Sequence, residues 1–201
     1  MVLLAGSLLL AACGDDDRNN ETAQEEASPT RTREGDQGVV GSWVGKVADS
    51  DAFVGVTVFE SRKVMAYVCD GQTVSQWFLT DDAGKDSFEA SNANGAELDA
   101  KLSKEKATGT VTLPGGQELT FDAPRAALDG GLYRGKATID GADYVGGWIV
   151  LPNGEQRGAI QGGGATIKGG TLNTATPAVS VAGGTLQARL VTPFVSKIIE
   201  F

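Results

Sequence analysis

The 201-residue chain contains no histidine. That absence removes Ser-His-Asp and Cys-His nucleophilic catalysis, together with every zinc site built on imidazole. The expectation is therefore a protein that is not an enzyme and carries no cofactor. Cysteine is nearly as scarce, with Cys13 and Cys69 the whole inventory. Positive charge is short as well: 17 Lys and Arg stand against 26 Asp and Glu, for a net charge of −9. Nucleic-acid binding needs clustered cations to neutralise phosphates, so it is not expected of this chain. An acidic surface chiefly confers solubility. The apolar run at residues 2–12 is interrupted by Gly6 and Ser7 and stops at Cys13, well short of the about 20 residues that a membrane helix needs.

What is present at that point is Leu10-Ala11-Ala12-Cys13, which resembles the lipobox of bacterial lipoproteins. In that family an apolar residue and two small residues precede a cysteine whose thiol receives a diacylglycerol, and the leader is then cleaved. The resemblance implies a signal peptide over residues 1–12, with Cys13 as the lipid-attachment site. The protein would be membrane-anchored through that lipid and face the periplasm or the cell exterior. No Lys or Arg precedes the apolar run, where such signals normally open with positive charge. Residues 13–38 are rich in Asp, Glu, Asn, Gln, Ser and Thr and nearly devoid of large apolar side chains. They read as a disordered acidic tether, because burial there cannot offset the ordering entropy. Acylation of Cys13 leaves Cys69 without an intrachain partner, and an unpaired thiol in an oxidising compartment is usually buried and inert.

Residues 39–201 read as a single β domain. Segments rich in Val, Thr, Phe, Tyr, Trp and Ile alternate with turn signals at short intervals. Strands are expected at 42–47, 53–60, 63–69, 73–79, 87–91, 97–102, 108–113, 118–122, 132–139, 144–151 and 155–160, with a last one at 185–191. The segment at 97–106 also carries helix formers, but Asn94-Gly95 before it and Thr108-Gly109-Thr110 after it favour a strand hairpin. Asp70-Gly71 and Asn153-Gly154 supply the positive-φ positions of tight hairpins, and Pro114-Gly115-Gly116 is a similar breaker. Val54, Val56 and Val58 share one side of a strand, as do Val64, Ala66 and Val68, so each strand should have one buried and one wetter face. The fold class is all-β: an antiparallel meander that closes as an up-and-down barrel or packs as a β-sandwich.

Gly41-Ser42-Trp43-Val44-Gly45-Lys46 is echoed ninety residues later by Gly131-Leu132-Tyr133-Arg134-Gly135-Lys136, and Phe53-Val54-Gly55 by Tyr144-Val145-Gly146. The likeness fades after that, which suggests one strand geometry used twice in a single meander rather than a repeat array. The glycine-rich stretch at 162–184 has no Lys-Ser or Lys-Thr behind its glycines, so it is no P-loop. It reads as turns and thin strands. Gly41-Ser42-Trp43 opening a run of strands resembles the start of calycin barrels, the lipocalin and avidin-like families. That resemblance implies an up-and-down barrel with Trp43 on its floor and a small ligand inside.

Candidate site residues follow from chemistry. Trp43, Tyr67, Trp77, Tyr133, Tyr144 and Trp148 are aromatic side chains of the kind that line ligand pockets, though they serve equally well as core. Asp81, Asp82 and Asp86 crowd one loop and are a candidate cation site, since oxygen ligands suit calcium. Ser103 and Lys106 have a Ser-x-x-Lys spacing, in a segment that reads as a hairpin turn. The functional expectation is a lipid-anchored β domain that binds a small ligand or a protein partner at the cell envelope. The alternatives are a structural envelope protein with a filled core, or a hydrolase working with carboxylates alone.

Overall fold

A computed structural model describes residues 38–194. The expected signal peptide, Cys13 and nearly all of the tether lie outside the described residues. Two antiparallel sheets make up the described residues. The first comprises β1 (Gly41–Val47), β2 (Phe53–Val58), β3 (Val64–Cys69), β4 (Ser75–Thr80), β5 (Ser87–Ser91), β6 (Glu97–Leu102), β7 (Lys106–Thr112) and β8 (Glu118–Pro124), in the spatial order β4-β3-β2-β1-β8-β7-β6-β5. The first strand therefore pairs with the last, and the meander bends into a nearly closed barrel. Its seam lies between β4 and β5, where side-chain amides replace a backbone ladder: Asn92 Nδ2 donates to Gln76 Oε1 (2.9 Å) and to the Trp77 carbonyl (3.2 Å).

The second sheet comprises β9 (Gly131–Ile139), β10 (Ala142–Val150), β11 (Gln156–Gly162), β12 (Ala165–Lys168), β13 (Ala178–Val181) and β14 (Gly184–Leu190), ordered β12-β11-β10-β9-β14-β13. It follows the same rule, first strand against last, and forms a half-barrel.

The sequence echo is thereby reassigned. It does not lie within one meander but marks the opening strand of each sheet. At its glycines the opening strand meets the closing strand too closely for a side chain. A Cβ on Gly45 would sit 2.5 Å from the Asp122 carbonyl oxygen, and one on Gly135 2.5 Å from that of Gln187. Only glycine lets the two strands approach so closely.

The second sheet crosses the outside of the barrel. Leu132 of β9 packs on Gly55 of β2, whereas Arg134, two residues further along, lies over Trp77 of β4. Ile149 and Gly147 of β10 make the same traverse, from Gly55 to the Tyr67 and Trp77 rings. This face-to-face packing produces three apolar layers. Trp43, Val54, Val56, Val68, Phe78, Phe88, Leu98 and Phe121 are among those that fill the barrel. Val44, Phe53, Met65, Tyr67, Leu132 and Ile149 form the layer between the sheets. Tyr133, Trp148, Ile160, Leu172 and Leu186 fill the half-barrel.

This layering corrects the expected one-sided burial. Alternation holds on β6 and β8, whose outer faces meet water, but every residue of β2 and β3 is buried because the second sheet covers what the barrel does not. The turns are corrected too. Asp70-Gly71 and Asn153-Gly154 sit in longer loops closed by Asp70 N to Val74 O and Leu151 N to Glu155 O. The two-residue hairpins are Asp140-Gly141, Gly163-Gly164 and Ala182-Gly183, with positive φ at both positions as type I′ requires.

Truncating the barrel core at Trp43 removes the largest of its buried side chains. Trp43→Ala is expected to cost about 3–5 kcal/mol in urea unfolding followed by circular dichroism. Ile167→Ala, on an exposed edge strand, should stay within about 0.5 kcal/mol of the parent.

Candidate functional site

The six aromatic candidates fall into separate layers. Trp43 is fully buried in the barrel, with the Arg125 guanidinium 5.6 Å from its ring centre. Arg125 in turn donates to the carbonyls of Lys104 (3.1 Å) and Val40 (3.3 Å), which ties down that end of the barrel. Tyr67 and Trp77 come together between the sheets, stacked with centroids 4.1 Å apart. Tyr67 Oη lies 2.8 Å from Ser75 Oγ, and burial raises the Tyr67 pKa well above the usual phenol value. Arg134, 3% exposed, places its guanidinium 5.4 Å from the Trp77 ring, and burial lowers its pKa to about 10.

Tyr133 and Trp148 are direct cross-strand partners in the half-barrel, with Tyr144 half-buried at its rim. Trp148 Nε1 donates to the Gly169 and Gly170 carbonyls, each at 3.3 Å. Its ring leaves no room for a Cβ on Gly158 or Gly169. Part of the glycine-rich stretch is thus the bed of a tryptophan. No single pocket collects these aromatics.

The acidic loop is likewise dispersed. Asp81 pairs with Lys63 (3.0 Å) and Asp82 with Arg62 (3.3 Å), while Asp86 engages Leu102 through its backbone carbonyl. Among the described residues no three acidic or thiol groups converge as metal ligands. Ser103 Oγ accepts the Glu105 and Lys106 amides and shapes its turn, and Lys106 Nζ is 2.5 Å from Asp122.

Cys69 is fully buried, with the Gly71 amide 3.2 Å from its Sγ, and burial raises its pKa so that it stays a thiol. Asp70, next in the chain, is the opposite case. Burial opposes its ionisation, but the amides of Gln72, Thr73 and Val74 and the Thr73 hydroxyl all donate to its carboxylate and together hold its pKa below the usual range.

Three recesses lie on the outside. A groove of about 740 Å³ is lined by the β4–β5 loop and by β5–β7, where Glu89 and Asp99 are direct cross-strand partners. A second recess of about 580 Å³ is bounded by Val39, Val58, Phe59 and Phe194. A third, of about 410 Å³, lies between the barrel turns and the half-barrel and includes Asp51, Asp70, Arg157 and Lys168. Sequence reasoning missed this junction, because its two cations come from segments that only the crossing of the sheets brings beside the barrel turns.

The architecture defines an all-β protein with a filled, nearly closed barrel crossed by a half-barrel. No protein-family model, curated protein or solved structure matches the chain.

Two outcomes follow. The Cys69 thiol should resist an aqueous thiol reagent in the native protein and react on unfolding. Asp70→Asn should destabilise by about 1 kcal/mol at neutral pH, modest because the side chain is partly exposed. A depressed native pKa stabilises above the unfolded value of about 3.9 and loses that contribution as pH falls through the native value, so denaturation curves of the two proteins should converge in acid.

Proposed function

We propose that this is a lipid-anchored protein of the cell envelope that works by contact, binding a small ligand or protein partner on the outside of its barrel. The anchor is Cys13, and the acidic segment to residue 38 spaces the body from the membrane. The single observation that supports external binding is the filled barrel: Trp43, Val54, Val56, Phe78, Phe88, Leu98 and Phe121 occupy the space where a calycin-type barrel would hold its ligand. Binding therefore falls to the surface recesses.

The hydrolase alternative has one feature in its favour, the facing carboxylates Glu89 and Asp99 in the outer groove. Both are exposed, so no contrast of environment divides them into acid and base as paired-carboxylate catalysis requires.

Fractionation of host cells tests the anchoring. Cys13→Ala should move the protein from the membrane fraction to the soluble extracytoplasmic fraction. Unaltered membrane retention of that variant would sink the lipoprotein reading.

A further inference from the structure

The junction recess is built from both sheets. Arg157 of β11 is fixed from three sides: Nε donates to the Asp51 carbonyl (3.0 Å), Nη1 to the Gln156 carbonyl (3.0 Å), and the guanidinium carbon lies 4.6 Å from the centre of the Phe53 ring. These bonds occupy two of its five N–H donors, and the rest remain in a head group already ordered. Lys168, exposed at the end of edge strand β12, is the second cation of the recess. Among the described residues neither has a carboxylate within ion-pair distance, whereas Lys46, Arg62, Lys63 and Lys106 each do.

The remaining walls narrow the ligand class. The Asp70 carboxylate is spent on its own turn, and the Gln156 amide is closed on Leu172, donating to its carbonyl (3.2 Å) and accepting from its amide (2.7 Å). Gln72, Thr171 and the Asp51 carboxylate are left for hydrogen bonding. An amide, a hydroxyl and a carboxylate suit hydroxyl groups rather than an acyl chain. A preorganised guanidinium suits a planar carboxylate, which it can grip by two parallel bonds. Asp51 and Asp70 beside the cations penalise a doubly charged phosphate more than a singly charged carboxylate. The volume, about 410 Å³, falls within the range of small-ligand sites.

We infer that this recess binds a hydroxylated carboxylate, the chemistry of a sugar acid, through Arg157 and Lys168. The inference deepens the proposal of external binding and is independent of lipidation at Cys13.

The test is calorimetric titration of the detergent-solubilised full-length chain with glucuronate, glucose and inorganic phosphate. Glucuronate should bind saturably. Glucose, which lacks the carboxylate, and phosphate, which lacks the hydroxylated body, should each bind about tenfold more weakly or not at all. Arg157→Lys keeps the charge but loses the fork and should weaken glucuronate by about tenfold. Lys168→Gln should weaken it several-fold with an unchanged thermal midpoint, which keeps the test decisive if the Arg157 variant folds poorly.

Three results would overturn the inference: no saturation by glucuronate up to about 50 mM, phosphate binding as tight as glucuronate, or wild-type affinity in Lys168→Gln. A negative titration beside release of Cys13→Ala from the membrane would discard the sugar-acid site and keep the anchored-protein reading. Saturable binding beside unaltered retention would do the reverse.

Discussion

The contact on which the rest of the structure depends is the closure of each opening strand against its closing strand. In the barrel β1 meets β8, and in the half-barrel β9 meets β14. Gly45 and Gly135 permit it by bringing no side chain between the backbones. Around the first closure, Trp43 and Arg125 form a bridge between the strand ends and bring the guanidinium over the indole; around the second, Tyr133 and Leu190 take the corresponding places. Without this closure each meander would expose two long sheet edges, which are templates for unwanted pairing.

A curved, closed sheet has a convex back, and that back decides where the second sheet goes. Gly55 and Gly147 act reciprocally at the crossing: each is the bare spot onto which the other sheet sets its large side chains, Leu132 and Ile149 on the one, Tyr67 and Trp77 on the other. The crossing also places Arg157 beside Phe53 and Asp51, so the junction recess is a by-product of the packing angle. Site and stability share residues here, because the bond from Arg157 Nε to the Asp51 carbonyl also fastens β11 to the β1–β2 turn.

Much of the fold was legible in local pattern. The strands at 87–91 and 97–102 were readable to the residue, because alternation of apolar and polar side chains reports a sheet with one wet face. The reading failed where a second layer intervened. β2 and β3 carry Thr57 and Ser75-facing Tyr67 on what looks like a solvent face, yet both positions are buried. The aromatics were legible as important but not as separate, since residue type does not say which of three apolar layers a ring will join. The glycine-rich stretch at 162–184 was readable as turns and thin strands, but the bounds of β12 and β13 were not, because four-residue strands offer too few alternations to register.

By itself, then, the sequence determined the all-β class, the turn-punctuated meander, the acidic character and the lack of imidazole chemistry, all of which depend on composition and near neighbours. Tertiary structure alone decided that there are two sheets, that the barrel is filled, that the echo marks two closures, and that Arg157 and Lys168 share a recess with Asp51 and Asp70. The physical reason is that strand pairing and packing angle are set by contacts between residues far apart in the chain, through glycine clearances and ring positions that no local pattern encodes.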